Sequence, residues 1–382
     1  MMKLSKTAVL LLCFTILLPF LCRAQNYQIT GKVINAETQQ ALSGVNIFLD
    51  KTTFGTTTNQ NGRYFLKDLP SGTYQLVFSF VGFQQVKKNI KIPRSYDAPI
   101  NVSLKPRLLV MDSLLITDNR PDRWLRNLKV FKKRFLGYTK NSDDTEILNP
   151  EVLTFQRKAG DLVAHSEEPL KLRNEALGYK IDVYLNEFSI YGSYLRTDAS
   201  SKFTRMEAES DRQRRRWEWE RKRAYEGSFR HFIHALPKGN LFEEGFRILL
   251  TDHPRIYSHD NESADTYRGL QFFGRRDEVE VNDHQTDELW DYHKLGQIKL
   301  TSTKGYDYLK VVFMKERSER SLSRMMSTNF SINQVSFLKF PKGSALVDAK
   351  TALGIPPKPP VIYGYWAWSS NIPEWLPKNY KP

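Results

Sequence analysis

The chain has 382 residues, 26% of them charged, and a formal net charge of +15. Its two cysteines, Cys13 and Cys22, both lie within the first 24 residues, which excludes a disulfide framework and thiol chemistry everywhere else. A chain of this length has enough apolar residues for two or three domains, so burial has to hold it together.

Residues 1–24 read as a secretory signal. Lys3 and Lys6 form a basic start, Thr7 to Leu21 an apolar stretch, and Cys22-Arg23-Ala24 leads to a cleavage point before Gln25. The stretch is short for a membrane anchor and contains Pro19. A lipoprotein would need a small residue at Leu21, before Cys22. Export is therefore expected, to the periplasm or the outer-membrane and cell-surface region, with no transmembrane segment after cleavage. Loss of Lys3, Lys6 and Arg23 lowers the charge from +15 to +12. In an exported chain that excess points to an envelope protein or an anionic glycan such as lipopolysaccharide as partner, and away from nucleic acid.

From Gln28 to Leu104 apolar and polar residues alternate at the period of half-buried strands. Val45, Ile47 and Leu49 share a face, as do Tyr74, Leu76, Phe78 and Phe80, then Ile100, Val102 and Leu104. Asn61-Gly62 predicts a tight hairpin between Thr57-Thr58 and Tyr64-Leu66. Leu69-Pro70-Ser71-Gly72 and Val81-Gly82-Phe83 predict further breaks. Short strands at this spacing favour a small β-sandwich over helical or parallel-sheet folds. The segments GKVINAETQQALSGVNIFL and TNQNGRYFLKDLPSGTYQLVFSFVGF resemble the carboxypeptidase regulatory-like (carboxypeptidase D regulatory, transthyretin-like) domain. LLVMDSLLITDN resembles the extra strand that often follows it. The resemblance implies a non-catalytic companion module, of a kind found in Bacteroidota envelope proteins, and no peptidase activity.

The expected organisation is a signal over 1–24, the sandwich over 25–104, a linker or extra strand over 105–120 and a second domain over 121–382. The fold class is mainly β, a transthyretin-like β-sandwich followed by a β-rich α+β domain. PDRWLRNLKVFKKRFLGYT predicts a helix opened by Asn119 and Pro121 and closed by Gly137. Trp124, Leu125, Leu128, Phe131 and Phe135 form its inner stripe, which makes it a basic surface helix packed on a sheet. Strands return from Leu148 to Tyr194, with a turn expected at Asn186-Glu187. Between Arg212 and Arg223 a basic run is interleaved with Trp217 and Trp219, read as a solvated helix with Glu218–Lys222 pairing and one tryptophan inward. Arg214, Arg215, Arg216, Arg221 and Arg223 are the candidate contact with an anionic surface. Trp217, Trp219, Trp366 and Trp368 are sugar-stacking candidates or core.

Ser228 caps a helix with Phe229, Phe232, Ile233 and Leu236 inward, which places His231 and His234 on a solvated face. His165 with Glu168 and either His284 or His293 gives a chance-level zinc pattern without the surroundings of that enzyme family. Asp260, Asn261, Glu262 and Asp265 lack calcium-loop spacing. No catalytic, cofactor-binding or metal-binding residue is assigned, and no cofactor is expected. From Tyr267 the chain predicts short strands, with charged segments such as RRDEVEV opposing an outer-membrane barrel, and ends in a proline run and an aromatic cluster. ILNPEVLTF, EPLKLRNEALGYKI, AYEGSFRHFIHAL, EEGFRI and GYWAW…EWLPKNY resemble the second domain of Bacteroidota envelope proteins that begin with the same module. A non-enzymatic envelope binding or scaffolding protein is the reading these features support. A metal-dependent or carboxylate-based hydrolase is the alternative.

Overall fold

The computed structural model describes residues 27–92, 98–107, 122–158, 161–191, 194–251, 279–281, 283–294, 296–301, 306–325, 333–340, 343–352, 354–355 and 359–382. The expected signal segment, Asn119, most of the 105–120 connection and the Asp260–Asp265 cluster lie outside these residues.

The N-terminal part is a β-sandwich. Strands β1 (Tyr27–Asn35), β2 (Asn46–Leu49), β3 (Gly55–Thr57), β4 (Arg63–Leu69), β5 (Gly72–Ser79), β6 (Val86–Ile92) and β7 (Val102–Leu104) divide into two sheets, ordered β4-β1-β7 and β3-β2-β5-β6. All pairs are antiparallel except β1 with β7, where Val33 lies beside Val102. The period-two residues face one another across the sandwich: Ile47, Phe78 and Ile90 from one sheet meet Ile29, Tyr64 and Val102 from the other. Gly31 admits the Ile100 carbonyl so closely that a Cβ there would overlap it, and the Tyr64 hydroxyl donates to that same carbonyl at 2.9 Å.

One local expectation is corrected. Gly62 does adopt φ +70° in a tight turn, but β3 pairs with β2 and β4 pairs with β1. The turn therefore carries the chain from one sheet to the other instead of closing a hairpin. Alternation reports which face is buried but not which strand is the neighbour.

Beyond the sandwich, strands β8 (Thr145–Ile147), β9 (Leu153–Lys158), β10 (Asp161–Ser166), β11 (Leu170–Asn174), β12 (Tyr179–Tyr191) and β13 (Tyr194–Arg205) form an antiparallel sheet ordered β8-β11-β12-β10-β9, with β13 also on β12. Helix α1 (Asp122–Leu136) packs on it through Phe131 and Phe135, and the Phe131 ring meets Phe188 edge-on at 4.8 Å. Leu125, expected inside, is exposed, and Asn127 takes the buried position and accepts from Arg157 Nε at 2.9 Å. The turn expected at Asn186-Glu187 is instead a bulge within β12, whose pairing jumps from Leu185–Ala199 to Glu187–Asp198. A bulge re-aims one side chain; here Asn186 donates to Gln85 of the sandwich and to Asp198, both at 3.3 Å.

The remainder holds two more sheets. One contains β14 (Phe246–Thr251), β15 (Val279–Val281), β18 (Tyr308–Arg317), β19 (Asn333–Lys339) and β21 (Val361–Gly364), and the other β16 (Trp290–Lys294), β17 (Gln297–Thr301) and β20 (Ser344–Asp348). Their shared core includes Phe246, Ile298, Val311 and Leu338, with Phe232 and Trp366 from two flanking helices. Helices α2 (Lys140–Asp143), α3 (Asp211–Tyr225), α4 (Phe229–Ala235), α5 (Arg320–Met325) and α6 (Tyr365–Ser369) complete the described chain. Together these sheets and helices make the second part a β-rich α+β structure. Among the described residues no helix is long and apolar enough to cross a membrane.

The sandwich is fixed to this second part by buried contacts. Phe48 and Val77, on the outer face of the β3-β2-β5-β6 sheet, are fully shielded by Tyr184, whose ring stacks on Phe48 at 4.6 Å. Beside them the backbones pair across the junction: Lys51 N donates to Ser201 O at 2.7 Å, and Phe203 N to Thr52 O at 2.9 Å. The C-terminal segment closes the seam, with Lys378 N donating to Lys51 O at 2.7 Å and Thr53 N to Asn379 Oδ1 at 3.1 Å. Backbone groups buried at a junction must stay paired, so these bonds fix orientation as well as attachment.

Candidate functional site

The basic run forms α3, opened by Ser210, whose hydroxyl accepts from Gln213 N at 3.2 Å. Successive helical residues turn by about 100°, so Arg214, Arg215 and Arg216 point in three directions. Arg214 pairs with Asp211 at 2.9 Å, Arg216 with Asp144 at 3.2 Å, and Arg215 is exposed. Arg221 is not on the surface. It lies between Trp217 and Tyr225 on the buried stripe and donates to Leu177 O at 2.7 Å and Gly178 O at 3.1 Å. Its guanidinium covers the Tyr179 ring at 4.5 Å. The loop before β12 presents carbonyls that need donors, and Arg221 supplies them together with Trp217 Nε1, which reaches Glu175 O at 2.8 Å. The five arginines therefore do not share one contact surface.

Other expectations shift for related reasons. The predicted Glu218–Lys222 pairing is replaced by Lys222–Glu226 at 3.7 Å. Trp217, Trp366 and Trp368 are core, whereas Trp219 is 57% exposed. His231 is buried instead of solvated. Its Nδ1 accepts from Gly227 N at 3.0 Å, which leaves Nε2 to donate to Glu244 at 3.2 Å. His234 bonds the Tyr225 hydroxyl at 2.8 Å and the Lys350 carbonyl at 2.9 Å. Both imidazoles are held down in pKa chiefly by burial and act as neutral structural links. His165 is half-buried on β10, Glu168 is exposed in the following turn and His293 is exposed on β16, while the His284 side chain lies outside the described residues. Among the described residues no three potential metal ligands converge.

What the structure does bring together is a cleft of about 440 Å³ between α3, α4, α6, the end of β18 and the C-terminal segment, with Lys51 contributed by the sandwich. Three carboxylates lie at one end. Glu316 accepts from Gln334 Nε2 at 3.1 Å and faces Arg223 at 3.7 Å. Glu319 accepts from the backbone of Lys140 at 2.8 Å. Glu374 accepts from Asn141 Nδ2 at 2.8 Å through Oε2, while its shielded Oε1 has no hydrogen-bond partner. Burial raises the pKa of all three. For Glu374 burial, then repulsion from Glu319, lifts it to about 7 against the pull of Thr139, Asn141 and Arg223. Part of the Glu374 residue reaches solvent, but its Oε1 does not. Tyr365, beside all three acids, is held neutral by burial.

At the other end are Lys51, Arg230 and Lys378. Lys51 Nζ lies over the Trp375 ring at 3.9 Å. Arg230 donates through Nη1 to Pro377 O at 2.9 Å; its buried Nη2 has no hydrogen-bond partner, and its guanidinium lies over the Tyr225 and Tyr380 rings at 5.4 and 5.9 Å. Lys378 faces Asp50 at 3.9 Å, and burial lowers it to about 8. Residues 374–378 form the wall joining both ends. The lining comes from positions 51, 223–230, 316–334 and 351–378, a convergence no local motif announces.

The fold of the first part places it in a class of small β-sandwich modules. Residues 29–116 match the CarboxypepD_reg-like domain, and that segment is such a domain. No curated protein matches the chain. Among solved structures, a chain of the Coh3ScaB–XDoc M2ScaA cohesin–dockerin complex of Acetivibrio cellulolyticus is similar at 18% identity and TM-score 0.17, covering 19% of this chain and 51% of that one. A Bacteroides fragilis protein described as membrane-associated and of unknown function covers 42% of this chain and 64% of its own, at 14% identity and TM-score 0.17. A 9R-lipoxygenase from Cyanothece covers 58% and 48%, at 11% identity and TM-score 0.14. The chain thus spans less than two thirds of each of these structures, and at these TM-scores none assigns it a fold or a function.

Proposed function

We propose that this is a non-catalytic binding or scaffolding protein of the cell envelope, in which the CarboxypepD_reg-like sandwich is a fixed support for the cleft. The observation that carries the reading is the junction itself. The sandwich is held by buried backbone bonds at Lys51 and Thr52 and contributes Lys51 to the cleft wall. The expected export signal supports an envelope location, in the periplasm or at the surface. The partner is an envelope protein or an anionic glycan, with the exposed Arg215 of α3 as the salt-sensitive contact, beside Arg214 and Arg216, which are already paired with Asp211 and Asp144. Arg221 and Arg223 are left out because one is buried and the other is paired with Glu220 at 3.4 Å inside the cleft.

Capture from envelope extracts at low and high salt, with a glycan array alongside, tests this. A specific partner released by salt supports it. Turnover in a hydrolase screen with no captured partner contradicts it. One observation favours a second reading: a carboxyl group near neutral pKa beside two further acids is what general acid catalysis requires. A carboxylate-based hydrolase would lose its activity in Glu374→Gln.

A further inference from the structure

The cleft carries opposite charge excess at its two ends. At the acidic end Glu220, Glu316, Glu319 and Glu374 face Arg223 and the Lys140 ammonium, which pairs with Glu220 at 3.4 Å. At the basic end Lys51, Arg230 and Lys378 outnumber the two acids that act on Lys378, Asp50 at 3.9 Å and Asp348. Each end also has a solvent-shielded polar atom without a hydrogen bond, Glu374 Oε1 and Arg230 Nη2, the Arg230 guanidinium lying over the Tyr225 and Tyr380 rings at 5.4 and 5.9 Å. Unpaired buried groups of this kind are costly to a fold unless something completes them. The wall from Glu374 to Lys378 covers four peptide steps, which limits the separation of its ends to about 14 Å. Phe229, Trp366 and Trp375 also line the cleft.

Resting on the reading of this chain as a binding protein, we propose that the cleft binds a small zwitterion of the amino-acid or short-peptide class. The ammonium group sits among Glu316, Glu319 and Glu374, the carboxylate between Lys51 and Arg230, and the side chain against Phe229 and Trp375. Neither charge alone fits both ends. A lone anion would face the carboxylates, and a lone cation the lysines. Burial shields both contacts from salt, in contrast to the exposed arginines of α3. Bringing an ammonium group to Glu374 draws its pKa down, so binding near neutral pH releases a proton.

Isothermal titration calorimetry of residues 25–382 with Ala-Ala, Phe-Ala and Lys-Ala tests the proposal, each peptide in free, N-acetylated and C-amidated form. Saturable binding of at least one free peptide is expected, weakened at least tenfold by acetylation and at least tenfold by amidation. Glu319→Gln should remove the penalty for acetylation and Lys51→Met the penalty for amidation, while circular dichroism shows each variant folded. The peptide modifications test the claim even if a variant fails to fold. Equal binding of blocked and free forms, or no saturable binding of any free peptide, overturns it. A captured envelope partner without peptide binding defeats this inference and leaves the proposed function standing. Peptide cleavage seen by mass spectrometry defeats the proposed function instead.

Discussion

Glu374→Gln is the substitution whose consequence can be worked furthest. In the unfolded chain the carboxyl titrates near 4.5, and in the folded protein near 7. The folded pKa is the higher, so the folded state prefers the protonated form. Stability from this group is complete below about pH 4.5 and is lost as pH rises through 7. A difference of about 2.5 pH units corresponds to an upper figure of roughly 3 kcal/mol at pH 8, taking about 1.4 kcal/mol per unit. The groups facing Glu374 are Glu319, Thr139, Asn141 and Arg223, with Tyr365 alongside. The glutamine side chain of the variant cannot ionise, and it keeps an oxygen for Asn141. Urea denaturation of both proteins at pH 4.5 and pH 8 provides the assay. The variant should be close to the wild type, or slightly less stable, at pH 4.5 and more stable by up to about 3 kcal/mol at pH 8. A stability difference that does not change with pH would refute the burial argument.

Three further outcomes follow from the same structure. Tyr184→Ala removes the ring stacked on Phe48 and should cost about 3 kcal/mol, with the junction near Lys51 becoming cleavable in limited proteolysis; unchanged cleavage would contradict the docking role. Gly178 has φ +65° and a Cβ there would overlap the Trp217 ring, so Gly178→Ala should lower the melting temperature and raise Trp217 fluorescence exposure. Arg221→Ala should lose about 3 kcal/mol because two buried carbonyls lose a charged donor, whereas Arg215→Ala should leave stability unchanged and weaken only salt-sensitive capture.

The sandwich was legible because its strands face a single core, and Val45, Ile47 and Leu49 advertise it. The docking of its other face was half legible: Phe48 and Val77 are apolar at positions where a sheet with one solvated face would be polar. Arg221 had a signal too, since it stands at i+4 between Trp217 and Tyr225 on one helical stripe. His231 did not, because α4 is buried nearly all round and period alone selects no face in such a helix. The bulge at Asn186 depends on the neighbouring strand, and a turn and a bulge have the same polar residues. The cleft was illegible for a more general reason. Its lining acids and bases come from four distant segments, which the packing of the C-terminal strip against Lys51 helps to bring together.

The most direct test of the central claim is incubation of the purified protein with any captured envelope partner or with free dipeptides, followed by mass spectrometry of everything recovered. The account predicts that the bound species returns chemically unchanged and in stoichiometric complex. Catalytic conversion that disappears in Glu374→Gln would contradict it.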